Sequence, residues 1–226
     1  MKRISICIPT WEQHGVGMKH LIRLITSIED QTFTDYEIII SDHSKNDDIQ
    51  NYISGKDNLN IIYVRNSDGY GNGVVNANNS IRHATGDLIK MMFQDDHFYS
   101  PNILSKINDE FDIHTNWIVN ASNITYDGIN YSTLYPHWND RVVYGVNTMG
   151  CPSSLTFRNN NGLWFDENLT MLMDTEYFYQ LYKKFGPAKI LNDVFTTTGV
   201  HPFQISILYD KDINEEIAHI NKKHNL

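Results

Sequence analysis

Leu88-Ile89-Lys90-Met91-Met92-Phe93-Gln94-Asp95-Asp96-His97 is a mostly apolar run that stops abruptly at two adjacent carboxylates. A short apolar run of this kind reads as a buried strand. Carboxylates are costly in a core unless something offsets their charge. At the C-terminal end of a parallel strand the usual partner is a ligand, often a metal ion carrying phosphates. The fold therefore turns on whether other strands lie parallel to this one.

Working outward, they do. Ile4 to Ile8, Tyr36 to Ile40 and Asn60 to Val64 are apolar strand-like runs. Helical spacing separates them at Met18 to Ile28, from Asp47 as a cap to Ile53, and at Gly73 to Ala84, with Gly86 as a C-cap. Alternation of strand and helix predicts a parallel sheet with helices on both faces. The second half is less regular. A helix is expected from Pro101 to Phe111, and strands at Trp117 to Ala121 and Ser153 to Arg158. Asp174 to Phe185 reads as a helix, Ala188 to Leu191 and Val194 to Thr198 as short strands, and Lys211 to Lys223 as a charged helix. Asn123 to Asn147 reads as short strands and loops. No repeat, low-complexity tract or linker interrupts the chain, so residues 1–226 read as one domain with two functional halves.

The composition narrows the function. The 226 residues carry a formal net charge of −9 from 18 basic and 27 acidic side chains. That balance argues against a nucleic-acid binder and gives no reason to expect an anionic membrane surface. The two cysteines, Cys7 and Cys151, make no disulfide framework or zinc spacing, and Cys7 in its apolar run is expected to be a buried free thiol. No leader precedes the first strand and no apolar run approaches ~20 residues, so a soluble, cytoplasmic protein without a transmembrane segment is expected.

In a parallel sheet four polar groups open on one edge: Pro9-Thr10-Trp11-Glu12, Ser41-Asp42-His43-Ser44, Asn72-Gly73 to Asn78-Asn79, and Gln94-Asp95-Asp96. Backbone amides and a helix N-terminus there favour anionic groups. Asp42 is placed to accept hydrogen bonds from a base or a ribose.

The order of these motifs resembles the inverting GT-A glycosyltransferases of family 2. An apolar strand ending in Pro9-Thr10 leads to a helix ending near Gln31-Thr32. Tyr36-Glu37-Ile38-Ile39 then leads to Asp42. Asn78, Ile81, Ala84, Gly86 and Asp87 precede the metal strand, and the Asp-x-Asp signature falls at Gln94-Asp95-Asp96. The resemblance runs from about Ile4 to Ser206. It implies a GT-A α/β fold: a Rossmann-like, mixed, mainly parallel sheet flanked by helices, with a smaller acceptor-side sheet. It divides the chain into a nucleotide-sugar-binding half (1–100) and an acceptor-binding half (101–226).

The resemblance also implies an activity and a set of roles. The activity is metal-dependent, inverting transfer from a nucleotide-diphosphate sugar, UDP-linked for preference, to a glycan or glycoconjugate hydroxyl, with Mn²⁺ or Mg²⁺ as cofactor. Pro9, Thr10, Glu12, Asp42, Asn78, Asp95 and Gly150 are expected on the nucleotide-sugar, the last from the loop Met149-Gly150-Cys151-Pro152. Asp96 and His201 are expected on metal or diphosphate. Asp174, in Met173-Asp174-Thr175-Glu176, is the expected base, with Glu176 as a supporting acceptor contact or the alternative base. Two departures stand out. Gln94 replaces the first acid of the signature, which makes Asp96 the main protein ligand and turns Asp95 toward the ribose or toward orienting the site. His43 stands where the family often has another Asp. Among the second-half aromatics, Trp138 in Pro136-His137-Trp138-Asn139-Asp140 is the leading acceptor candidate. A sugar nucleotidyltransferase and a catalytically degenerate nucleotide-sugar or glycan-binding module are the alternatives. The first is expected to have a glycine-rich, basic loop after its first strand, which Trp11 to Gly15 is not.

Overall fold

The structure is a computed structural model that describes residues 3–208 and 213–226. Its strands are β1 (Ile4–Thr10), β2 (Tyr36–Asp42), β3 (Ile61–Arg65), β4 (Leu88–Met91), β5 (Asp96–Phe98), β6 (Trp117–Thr125), β7 (Ser132–Leu134), β8 (Leu155–Arg158) and β9 (Lys189–Gly199). The helices are α1 (Gly17–Glu29), α2 (Asp48–Ser54), α3 (Gly73–Arg82), α4 (Ile103–Glu110), α5 (Met173–Phe185), α6 (Ile205–Leu208) and α7 (Ile213–His224). Among the described residues the strands form one sheet in the order β3-β2-β1-β4-β8-β6-β9-β5, with β7 added on β6. The first four sequence strands pair in parallel. β8 joins β4 and β6 antiparallel, β9 runs parallel to β6, and β5 closes the far edge antiparallel to β9. The expected mixed α/β architecture is borne out, and the second-half strands continue the same sheet.

Two layers cover the sheet because the central strands are apolar on both sides. Ile4, Ile6 and Ile8 of β1 pack with α1, α2 and α4 on one face. Cys7 points to the other face, where Val74, Ala77 and Ile81 of α3, Tyr177 and Phe178 of α5 and Ile220 of α7 pack. The alternation along β1 is the two-residue period of a strand. Both Cys7 and Cys151 are free thiols.

Several local expectations change. β4 ends at Met91; the chain turns at Gln94-Asp95, with Asp96 N–H donating to Phe93 O at 3.0 Å, and Asp96 opens β5. The acids therefore sit on a bend between two strands. α3 stops at Arg82, and Gly86, expected as its cap, instead donates its N–H to Ser5 Oγ and Glu37 Oε1. Asp47 makes no cap on α2 because its carboxylate faces Arg65 at 2.9 Å. The two short strands expected after Ala188 are one strand, β9, with an irregular register opposite Asn120 to Ser122. The start of the charged C-terminal helix, Lys211 and Asp212, lies outside the described residues, and α7 is described from Ile213. Among the described residues no helix is long and apolar enough to cross a membrane.

Candidate active site

The C-terminal ends of β1, β2 and β4 open on a cavity of about 320 Å³, within the range of small-molecule sites. Its floor is the β4–β5 bend. Gln94 is buried, accepting from Trp11 N–H at 3.0 Å and donating to Gly17 O at 2.8 Å. This amide staples the loop after β1 to the floor, a bridge that a carboxylate, an acceptor only, could not make to Gly17 O. Gly17 is needed because a Cβ there would run into the Trp11 carbonyl and the Gln94 amide.

Asp95 and Asp96 face different surroundings. Asp95 Oδ2 accepts from His201 Nε2 at 3.2 Å and Gln204 Nε2 at 3.1 Å, and its carbonyl accepts from Arg23. Burial pushes its acidity down, but these hydrogen bonds outweigh burial and hold its pKa below the usual value. Asp96 is 2% exposed; its Oδ2 meets the Cys151 thiol at 3.6 Å, and its Oδ1 is buried without a partner. Burial, reinforced by the neighbouring Asp95 charge, pushes Asp96 up to about 8. Beneath this bend Lys90, fully buried, donates to Asn120 Oδ1 and to the Ser153 carbonyl, and burial drives its pKa down to about 7.

The wall from β1, β2 and α3 is built in two layers. Pro9, His43, Asn76 and Tyr70 line the cavity. Behind them, Asp42 is fully buried: Oδ1 accepts from Ser44 N–H at 2.8 Å, Oδ2 accepts from the Tyr63 hydroxyl at 2.7 Å, and Arg65 lies 3.6 Å away. Thr10 is buried and donates to Ser41 O at 3.2 Å. Asn76 ties the two strand ends together by donating to Thr10 O and Ser41 O. Asn78 points the other way, bonded to Phe165 and Glu167. Glu12 accepts from the Tyr70 hydroxyl at 3.3 Å, across from the wall, and its second oxygen is buried without a partner. Of the expected nucleotide contacts, then, Pro9 and Asp95 line the cavity. Asp42, Thr10 and Asn78 stand behind it.

The opposite wall comes from the second half. Cys151, Pro152, Met171 and Asp174 line it. Gly150 sits beside them with φ +101°, and a Cβ there would press on Ser154 Oγ. Its amide and carbonyl both bond to Asn147. Asn147 also donates to Asp174 Oδ2 at 2.8 Å, and Asp174 Oδ1 accepts from Thr175 N–H. Asp174 thus stands in the first turn of α5, and burial in the cavity wall pushes it up to about 7. His201 accepts from Phe203 N–H at Nδ1 (3.3 Å), so its Nε2 is left to donate to Asp95. Glu176 is fully buried on the far side of α5, held by Lys223, His224 and Gln180. Trp138 stacks on Tyr182 of α5 with centroids 4.1 Å apart, and its indole N–H donates to Asp140. Neither Glu176 nor Trp138 is among the residues that line the cavity.

Sequence reading did not single out Lys90, Asn76, Tyr70 or Asn147. For Lys90 the signal was present: a lysine inside an apolar strand has to be explained by a partner. Asn147 and Tyr70 carried no such signal, because loops bring them in.

A hard divalent ion takes oxygen ligands and keeps places for water and phosphate. The unpartnered Asp96 oxygen on the cavity floor fits such an ion. Among the described residues no three His, Cys, Asp or Glu side chains cluster to hold a metal by themselves, so phosphate and water would supply the remaining ligands.

An α/β sheet with a cavity across its strand ends, acids on the floor and an acid on the facing helix fits an enzyme that transfers a group from a bound donor. The sequence matches "Glycosyl transferase family 2" over residues 5–186, and the chain belongs to that family. It is similar to the GalNAc(5)-diNAcBac-PP-undecaprenol beta-1,3-glucosyltransferase of Campylobacter jejuni, 28% identical over 116 residues. That match spans 49% of this chain and 36% of the relative. Among solved structures, S. aureus TarS 1–349 in complex with UDP-GlcNAc superposes with a TM-score of 0.77 at 16% identity, covering 98% of this chain and 65% of that one. The complex of TarS 1–349 with UDP gives 0.70 at 17% identity, covering 98% and 71%. The mannosyltransferase PcManGT of Pyrobaculum calidifontis, in complex with GDP-Man and Mn²⁺, gives 0.61 at 14% identity, covering 88% and 56%. The fold is therefore that of GT-A glycosyltransferases, and the family match covers most of the chain.

Proposed function

We propose that this protein is a glycosyltransferase that moves a sugar from a UDP-linked donor, with inversion, to a hydroxyl of a glycan or glycoconjugate, and that it depends on a divalent cation. One observation carries the reading: a buried carboxylate with a free oxygen, Asp96, and a half-buried carboxylate of raised pKa, Asp174, line the same cavity on its opposite sides. Residues 1–100 hold the donor and residues 101–226 the acceptor. The TarS complexes with UDP and UDP-GlcNAc support the choice of base, though they concern that protein.

The chemistry follows from the two acids. The acceptor O–H attacks the anomeric carbon while the bond from that carbon to the diphosphate breaks, through an oxocarbenium-like state. The proton leaves the attacking oxygen for the Asp174 carboxylate, which Asn147 and the Thr175 amide hold in place. A raised pKa makes that carboxylate a stronger base than an ordinary aspartate. Asp96 would hold a divalent cation, Mg²⁺ or Mn²⁺, which would supply charge neutralisation for the departing diphosphate. Asp95, fixed by His201 and Gln204, faces the ribose or diphosphate side of the floor. His43 and Tyr70 flank the base. A single base opposite the leaving group gives one displacement and hence inversion.

The test is calorimetric binding of UDP, dTDP, GDP and CMP, with and without Mn²⁺, to wild type and Asp96→Ala. The reading expects Mn²⁺-dependent binding of UDP that the variant loses. Tight metal-independent binding would remove Asp96 from the role given to it. Absence of binding by all four would overturn the proposal. The anomeric configuration of the product, read by proton NMR, decides inversion.

A further inference from the structure

α5 begins without a cap of its own: Leu172, the residue before it, makes no side-chain cap hydrogen bond. The acceptor comes from another helix. Glu216 of α7, 6% exposed, accepts through Oε1 from Thr170 N–H (2.9 Å) and Met171 N–H (3.2 Å), and through Oε2 from Met171 N–H (3.0 Å) and Leu172 N–H (2.8 Å). Successive amides pointing into one concavity at a helix start form an anion site. Here the protein fills it with its own carboxylate. Thr170 and Met171 line the cavity, and Asp174 follows two residues after Leu172.

We infer that Glu216 is a positioning residue for sugar transfer: by closing the amide nest of residues 170–172 from α7, it fixes the first turn of α5 and so the place of Asp174 at the cavity. The inference rests on the reading of Asp174 as the base. Charge acts in the same sense as geometry. After burial and its hydrogen bonds, the Glu216 charge adds to the rise in the Asp174 pKa. Among the described residues, the other groups near Asp174 are these. Asn147 is neutral. Asp95, Asp96 and His43 line the same cavity on other elements. Glu176, two residues on, is turned away to Lys223 and His224.

α7 also provides a control. Lys223 bridges Asp166 and Glu176 at 2.8 Å each, so Lys223→Ala loosens the same helix without touching the nest. The experiment uses the whole chain labelled with ¹³C at aspartate carboxyls. Carboxyl resonances are followed against pH in wild type, Glu216→Gln, Glu216→Asp and Lys223→Ala, with Asp174→Asn giving the assignment. UDP release from UDP-glucose and UDP-GlcNAc with Mn²⁺ is measured alongside. Glu216→Gln should lower the Asp174 midpoint and slow UDP release by about 10-fold. Glu216→Asp, which keeps the charge, should hold the midpoint near wild type, and Lys223→Ala should change neither reading. An unmoved midpoint in Glu216→Gln, or an equal shift in Lys223→Ala, would overturn the inference. If Asp174→Asn releases UDP as fast as wild type, the base reading fails, while a shifted midpoint still upholds the link from Glu216 to Asp174. If Glu216→Gln fails to fold, the Asp variant carries the test: a midpoint that falls in Glu216→Asp, which keeps the charge, refutes the role of the charge.

Discussion

Asp42 and Asp96 look alike by position. Each lies at or beyond the C-terminal end of an apolar strand of the parallel half, Asp42 as the last residue of β2 and Asp96 just past the bend that follows β4, and each is almost wholly buried. Their surroundings differ. Asp42 has both oxygens engaged, by the Ser44 amide and the Tyr63 hydroxyl, with Arg65 close by. Asp96 has a thiol near one oxygen and nothing on the other. A buried charge that is fully hydrogen-bonded is part of the architecture. One left open on a cavity floor is waiting for a partner. On the proposed function, the Asp42 carboxylate is therefore scaffold, and the floor around Asp96, with Asp174 opposite, is the reacting part.

The largest effect is expected at Asp174. Asp174→Asn removes the proton acceptor and should lower turnover by about 10²–10⁴-fold with the fold intact. In wild type the carboxylate is the active form, so the rate should climb as pH rises through about 7 and then level off. A variant that keeps the wild-type rate would break the division between scaffold and reacting side. Next is Asp96→Asn, for which loss of several kcal/mol of charge stabilisation corresponds to about 10²–10³-fold in rate, along with loss of cation dependence. Its stability should move the opposite way. The folded chain holds the Asp96 proton up to about pH 8, whereas the unfolded chain releases it near the usual carboxylate value of about 4. Raising the pH through that interval therefore withdraws stability. Asp96→Asn should flatten this decline and raise the melting temperature of the cation-free protein at pH 8. A variant melting lower than wild type there would mean the open oxygen is not a cost.

Much of this was legible in the sequence, for reasons that vary by region. The parallel half follows from runs such as Ile4 to Ile8 and Ile38 to Ile40, whose apolar continuity leaves little choice but burial on both faces. The place of Asp174 in the first turn of a helix at the cavity was legible from the residues around it. The bend at Gln94-Asp95 was not, since an apolar run does not say where its last hydrogen bond falls. Nor was the difference between Asp42 and Asp96, which depends on Tyr63 and Arg65, some twenty residues along the chain from Asp42. Glu176 and Trp138 illustrate the same limit. Their local sequence is compatible with an open surface, and only the packing of α7 on α5 for Glu176, and of Trp138 on Tyr182 of α5, decides where their side chains go.

Asp42→Asn tests the scaffold side. It keeps an acceptor for the Ser44 amide but gives up the charge beside Tyr63 and Arg65, at a cost of about 1–3 kcal/mol. Denaturant unfolding should record that loss, while turnover per folded molecule stays within about 3-fold of wild type, a factor worth under 1 kcal/mol. A large loss of UDP affinity with unchanged stability would move Asp42 to the reacting side. It would then have to exchange its Tyr63 bond for one to the nucleoside.

The smallest effect is expected at Trp138→Phe. The indole ring lies 4.1 Å from the Tyr182 ring at an interplanar angle of 13°, a packed arrangement on the back of α5. Phenylalanine keeps an aromatic face for that stack and removes the N–H that donates to Asp140. Because that hydrogen bond is largely in water, the loss should be about 0.5–1 kcal/mol at most, with turnover unchanged. An aromatic ring that carried an acceptor sugar would behave differently, since sugar stacking depends on the width of the indole face. A fall in turnover of about 10-fold or more, equivalent to about 1.4 kcal/mol, without a matching loss of stability would put Trp138 in contact with substrate. It would also extend the reacting side beyond the cavity wall, onto the face of α5 that Tyr182 occupies.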